Sequence, residues 1–305
     1  MPGSQSYPHD PRNESILIYL NGALVPRAEA RVSVFDAGFA LGDGIWEGIR
    51  LQDGTFLFLE AHLDRLSAGA RAIALDMGMD HAGIAQALRR TVDANGMRDG
   101  VHVRLMVTRG EKATVNQDPR NALGRPTIVI VAEYKQPASA ARGLTLMTSS
   151  IRCSPASMFD MRLNSHSRLN LIRAVLEAVE AGADEAIMLD PNGAVSSCNA
   201  TNFFAVVEDR VLTSTGEFCF NGITRRNIIN LCRAEGLPLA ELDFSIETAR
   251  GAREAFVTGT FGGVTPVAGI DGVALPACPG PVTRQIAALY DALKRRYVAE
   301  HQAEK

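Results

Sequence analysis

Two rhythms of apolar and polar positions run along this chain. A period of two argues for strands, and apolar positions three and four apart argue for helices. Residues 16–20 (ILIYL) and 23–25 (ALV), joined by Asn21-Gly22, predict a hairpin. Residues 45–51 and 56–59 predict a second one, and the glycines of FDAGFALGDGIWEGIR (Gly38, Gly42, Gly44, Gly48) allow tight bends before it. Helical spacing appears over residues 60–75, through Leu63, Leu66, Ala70 and Ile73, and again over 81–95, where Gly96 supplies a stop. Residues 101–109 alternate like a strand, 111–126 read as a polar loop, and 127–134 are Val/Ile-rich strand.

The second half repeats the mixture. A strand over 144–149 is followed by a polar run, Asn164-Ser165-His166-Ser167-Arg168, that opens an amphipathic helix. Residues 185–190 (EAIMLD) read as a buried strand. The turn Pro191-Asn192-Gly193 leads to another strand and a polar loop over 196–202. A helix over 224–235, alternating strands to Val257 and a closing helix over 281–297 complete the chain. The small, polar, proline-containing stretch 135–143 is the best linker. The order predicts an α+β protein of two domains, 14–134 and 144–305, behind a disordered lead over 1–13.

Composition narrows the function classes. At 305 residues and 46% hydrophobic, the chain can bury one large or two medium cores. A formal net charge of −3 with interspersed signs argues against a nucleic-acid partner or an anionic membrane surface. No apolar run approaches the roughly 18 residues of a spanning helix, and the first residues lack the pattern of a secretory signal. Five scattered cysteines and six scattered histidines show no metal-ligand spacing. That pattern fits reduced thiols, a cytoplasmic location and no metal.

The chemistry-bearing motifs come next. Residues 182–190 read GADEAIMLD, 221–225 read NGITR, 258–260 read TGT ahead of VTPV, 60–66 read EAHLDRL, and 43–50 read DGIWEGIR. In this order they resemble the class IV aminotransferases, the fold-type IV enzymes that use pyridoxal phosphate (PLP). The resemblance covers nearly the whole chain. It implies a two-domain α+β architecture with pseudo-barrel strands, and a homodimer. In the family, an arginine in "H-x-x-R-L" grips the cofactor phosphate; here that is Arg65. "G-I-T-R" and "G-T" receive the same phosphate, which puts Gly222, Ile223, Thr224 and Thr260 in the cup.

Two positions depart from the family pattern. The lysine that carries PLP falls on Asn164, and the glutamate at the pyridine nitrogen falls on Ser197. The family's tyrosines fall on Leu41 and Arg168. An amide nitrogen cannot form an imine. The resemblance with these departures therefore implies a divergent enzyme acting on a small anionic substrate, carboxylate or phosphorylated, with PLP or pyridoxamine phosphate (PMP) held non-covalently or with no cofactor. His166 then offers a general base and Arg168 an anion clamp beside Asn164. Two alternatives stay open: a catalytically silent binding subunit, or an ordinary transaminase with its lysine supplied elsewhere. Each residue also has a structural reading. Arg65 can be a solvated helix arginine, Thr224 a helix cap, and His166, Ser167 and Arg168 partners for a first helical turn. Cys198 reads as an inert buried thiol, and Trp46 as core or pocket wall.

Overall fold

The computed structural model describes residues 3–137 and 142–303. The chain divides into two compact units. An N-terminal unit takes His9–Gln136, Leu163–Arg168 and Tyr297–Lys305, and a C-terminal unit takes Met1–Pro8, Pro137–Arg162 and Leu169–Arg296. The division departs from the expected 14–134 and 144–305 chiefly at Leu163–Arg168, the segment of greatest chemical interest. Residues 138–141 of the expected linker lie outside the described residues.

In the N-terminal unit, β1 (Leu17–Leu20), β2 (Ala23–Pro26), β3 (Gly44–Gln52), β4 (Thr55–Phe56), β5 (Val101–Thr108) and β6 (Thr127–Tyr134) form one antiparallel sheet in the order β2-β1-β6-β5-β3-β4. The two-residue period places Ile45, Ile49 and Leu51 of β3 on one face with Val103, Leu105 and Val107 of β5, all buried. Leu63, Leu66 and Ala70 of α2 (Leu59–Ala72), and Ile84, Leu88 and Val92 of α3 (His81–Ala94), complete that core. A short helix, α1 (Ala37–Leu41), precedes β3. Asp36 caps it through N–H groups of Gly38 and Phe39, and Gly42 closes it at φ 69°.

The C-terminal unit holds a larger mixed sheet. Its path is β12 (Leu239–Glu241), β11 (Arg210–Thr213), β10 (Asn202–Val207), β13 (Glu254–Gly259), β14 (Gly263–Ile270), β7 (Leu144–Thr148), β8 (Glu185–Leu189) and β9 (Val195–Cys198), with β15 (Val273–Ala274) on β14. Pairing is parallel at β11/β12, β14/β7 and β7/β8. Every residue of β8 is buried, the apolar run Ala186–Leu189 as a sheet covered on both faces requires, and Glu185 with it. The helices are α4 (Leu169–Glu180), α5 (Ile223–Ala234), α6 (Ile246–Arg250) and, as far as Arg296, α7 (Pro281–Ala303), which extends past the expected end at 297.

Two sequence expectations meet a different local structure. The polar run 164–168 is not the first turn of a helix, since α4 begins at Leu169. Residues 164–166 instead lie extended against β3. Trp46 N–H donates to Asn164 O, and His166 N–H donates to Gly44 O, both at 2.9 Å. A run of short polar side chains carries no helical period of its own, and a strand edge satisfies its backbone. The lead read as disordered also makes defined contacts over residues 3–13. Ser4 is buried, and Asn13 exchanges two side-chain hydrogen bonds with the backbone of Tyr134 at 2.8 Å.

Candidate active site

The 163–168 segment of the N-terminal unit is built around Asn164. Its amide is buried; Nδ2 donates to Trp46 O at 2.6 Å, and Oδ1 accepts from Arg168 Nη2 at 2.6 Å. Arg168 also donates through Nε to Ser165 O and through Nη2 to Leu163 O, both at 2.9 Å. Burial, with Arg104 and Arg65 nearby, lowers its pKa to about 10. His166 Nε2 stands 3.2 Å from Ile45 O, which assigns the ring proton to Nε2 and leaves Nδ1 with its lone pair. Burial outweighs that hydrogen bond and lowers the pKa of His166, so the ring is neutral at pH 7. The Ser165 hydroxyl is buried with no hydrogen-bond partner among the described residues.

Behind this segment lies a buried ion-pair network that the sequence reading missed. Glu47, on β3 and 0% exposed, accepts from Arg65 Nε at 2.8 Å and from Arg65 Nη2 at 2.6 Å. His62 Nδ1 stands 2.7 Å from the same carboxylate. Burial by itself raises a carboxyl pKa. Here the Arg65 charge and the hydrogen bonds of Arg65 and His62 overcome burial, and the Glu47 pKa falls. Arg65 is therefore not a solvated helix arginine; one edge of its fork is committed to Glu47. The signal was available, because Glu47 shares the apolar face of β3 with Ile45 and Ile49. A buried carboxylate there needs a cation from the covering helix, and His62 and Arg65 sit three residues apart on α2.

Arg104 of β5 is the second missed residue. Its guanidinium stacks on the Trp46 ring, 3.6 Å from the centroid, and Arg168 lies over the same ring at 5.8 Å. Trp46 Nε1 donates to Ser165 O at 3.1 Å, which fixes the indole. Arg104 makes no hydrogen bond or ion pair among the described residues. Its pKa is lowered by burial, against the pull of Glu47 and Glu133. A strand arginine pairing across from Gly48 reads as ordinary alternation in sequence; only the stack on Trp46 reveals it.

In the C-terminal unit, the start of α5 supplies backbone donors. Gly222 is the N-cap residue with no side-chain cap, and Ile223 and Thr224 are the first helical positions. The Gly222 N–H already donates to Asn202 Oδ1 at 3.2 Å, and Thr224 Oγ1 lies 3.4 Å from Tyr290 OH. Thr224 is thus not the cap. Thr260 is half-buried in the turn between β13 and β14, and Thr258 Oγ1 is buried without a hydrogen-bond partner among the described residues. The Ser197 hydroxyl donates to Thr201 O at 2.8 Å. Burial pushes the Cys198 thiol well above its ordinary pKa, which keeps it protonated and inert. The sequence-derived set is therefore split. Arg65, Asn164, His166 and Arg168 share the N-terminal unit, and Ser197, Gly222, Ile223, Thr224 and Thr260 share the C-terminal one. Among the described residues, no helix is long and apolar enough to cross a membrane.

Comparisons with known proteins agree with this architecture. The branched-chain-amino-acid aminotransferase-like protein 2 of Arabidopsis thaliana is 39% identical over 93% of this chain, but the match covers 51% of that protein. The chain thus spans about half the length of the first curated relatives it matches. A putative branched-chain-amino-acid aminotransferase of Methanocaldococcus jannaschii is 36% identical, with 84% of this chain and 88% of that one covered. Among solved structures, the branched-chain aminotransferase of the thermophilic archaeon Thermoproteus uzoniensis with norvaline superposes with a TM-score of 0.83. Its identity is 31%, over 91% of this chain and 94% of that one. The two-sheet α+β architecture is that of the fold-type IV aminotransferases. The family model for amino-transferase class IV matches residues 44–270, and the chain belongs to that family.

Proposed function

We propose that this chain is a class IV aminotransferase-fold enzyme that works without a lysine-borne cofactor, on a small carboxylate or phosphorylated substrate. Asn164 is the observation that carries this reading. An internal aldimine needs a primary amine. A carboxamide nitrogen is not basic, and both ends of this one are spent on Trp46 O and Arg168. None of the described lysines stands at position 164. Lys112 is buried with Nζ on Asp118 O and Lys294 pairs with Asp291, while Lys135, directly after β6, lies in the field of Glu133 and Arg104 and has its pKa lowered by burial. Lys305 lies outside the described residues. Ser197 turns its hydroxyl to Thr201 O and offers no charge to a pyridine nitrogen. These residues do not fit a lysine-linked PLP.

What they do fit is an anion. Arg104 and Arg168 place two guanidiniums against one indole, and Arg104 carries no carboxylate partner among the described residues. A desolvated guanidinium of that kind gains from a bound carboxylate or phosphate. His166, neutral with Nδ1 open, can take a proton from a substrate carbon or heteroatom, and the Ile45 carbonyl holds its tautomer. The uncapped start of α5 favours a second reading, in which PMP is held there by backbone donors with no covalent link. The homodimer belongs to the same proposal.

The test is to incubate the protein with PLP, record the absorption near the visible edge, reduce with borohydride and map the product by mass spectrometry. No lysine adduct is expected, while inorganic phosphate and small dicarboxylates bind saturably and Arg104→Leu weakens them at least tenfold. A borohydride-fixed lysine adduct would overturn the proposal.

A further inference from the structure

Residues 3–8 belong to the C-terminal unit and converge on one place in it. Ser4 is buried, and both its backbone N–H (3.2 Å) and its hydroxyl donate to Glu185 Oε1. Ser6 N–H closes a turn on Gly3 O at 2.9 Å. Gly3 permits the close approach, because a Cβ there would stand 2.7 Å from Asp184 O. Tyr7 meets Phe261 edge-on with ring centroids 6.3 Å apart. Ser4 O lies 3.8 Å from where a Cβ on Gly262 would stand. Phe261 and Gly262 directly follow Thr260, in the turn between β13 and β14. One short segment therefore touches both a buried carboxyl and the turn that carries a candidate anion contact.

We propose that Gly3–Tyr7 is a strap, latched on Glu185, that closes over the Thr260–Gly262 turn. Its bearing on ligand access rests on the proposed PMP reading, with Thr260 as the phosphate contact that the family resemblance implies. The latch itself stands on contacts within one unit. The groups around Glu185 decide how it responds to pH. Thr201 Oγ1 donates to Oε2 at 2.7 Å from the loop before β10, and Ser4 donates from the strap. Asp184, the preceding residue, adds a like charge but is itself held by Arg142 at 2.6 Å and by Thr145. Cys198 on β9 carries a protonated thiol. None of these donors is a cation against the carboxyl. Burial, aided by Asp184 and opposed by the two hydrogen bonds, pushes Glu185 up to about 7.

Lifting the strap hydrates the carboxyl and returns it toward its ordinary value of 4.5. Docking therefore takes up a proton between those two values. It weakens as pH rises from 4.5 to about 7 and levels off above. The strap is held most tightly in acid and less tightly toward alkaline pH.

Hydrogen exchange on the full chain, read by mass spectrometry at pH 6 and pH 8 with the chemical rate corrected, tests this for the wild type, Ser4→Ala, Tyr7→Ala and Glu185→Gln. Tyr7 is 39% exposed, so its truncation leaves the core intact. The expected result is several-fold faster exchange over residues 3–8 and 260–264 in Ser4→Ala and Tyr7→Ala. The wild type should also exchange faster at pH 8 than at pH 6, and Glu185→Gln should protect both segments equally at the two pH values. Unchanged exchange over 260–264 in Ser4→Ala and Tyr7→Ala overturns the strap. A wild type indifferent to pH overturns Glu185 as its latch. Inorganic phosphate titrated into the same proteins separates the two readings. If exchange responds but phosphate binds none of them, the role of Thr260 fails and the strap stands.

Discussion

Glu47 and Glu185 are both glutamates, both on strands and both almost wholly removed from water, at 0% and 2% exposure. Their surroundings send them in opposite directions. Glu47 faces the Arg65 fork and His62 and is held ionised. Glu185 faces two hydroxyls and a backbone N–H and is pushed up to about 7. Burial raises both; only a cation at contact distance reverses it. The N-terminal unit therefore holds a fixed charge pair at its candidate site, and the C-terminal unit holds a carboxyl that can change state near neutral pH.

The largest effect should come from breaking the Glu47 side of this contrast. Glu47→Ala leaves the Arg65 guanidinium, 19% exposed, without its bidentate partner. Removing one member of a buried pair costs about 3–5 kcal/mol. Thermal melting should show that loss near neutral pH. Glu47→Gln, which keeps the shape and one acceptor, should lose less. The sign with pH follows from the lowered folded value. The stabilisation is present above the ordinary carboxyl value of 4.5 and is lost as pH falls through the folded one. The wild type should thus lose stability in acid more steeply than Glu47→Gln.

Much of this was legible in the chain. The two-residue period gave β5 and β6 nearly to the residue, and the family motifs gave the α+β fold class. The charge network is written more faintly, as one acid on the apolar face of β3 and two basic residues on α2, and each looks ordinary alone. The segment 163–168 escapes a sequence reading for a different reason. Its backbone pairs with β3, about 120 residues earlier in the chain, and no local pattern reports a partner at that distance. Glu185 is likewise hidden, since its partner on the strap, Ser4, lies 181 residues away.

The Glu185 side can be sharpened by neutralising it. A folded value near 7 against an ordinary 4.5 means that ionisation in the folded state is disfavoured by roughly 3 kcal/mol. Glu185→Gln keeps the shape and an acceptor for Ser4 N–H, and the Thr201 hydroxyl can rotate to accept from the new amide. Urea unfolding of this variant should therefore be flatter between pH 5 and pH 8 than that of the wild type, with the gain appearing at pH 8. A parallel pH dependence in both proteins would show that Glu185 does not titrate in this range.

The smallest expected effect separates the two forms of that carboxyl. Thr201→Val keeps side-chain volume and removes the donor to Oε2. A hydrogen bond to a charged acceptor is worth about 1.5–3 kcal/mol, and one between neutral groups about 0.5–1.5. The substitution should therefore cost about twice as much at pH 8, where Glu185 is ionised, as at pH 5, where it is neutral. The same bond lowers the Glu185 pKa, so its loss should move the titration midpoint upward, followed by the carboxyl carbon signal in NMR. Glu47 answers to Arg65 rather than to a hydroxyl, so its signal should stay in place. If both carboxyls shift together in Thr201→Val, the two units are not electrostatically independent and the contrast between a paired and an unpaired acid loses its force.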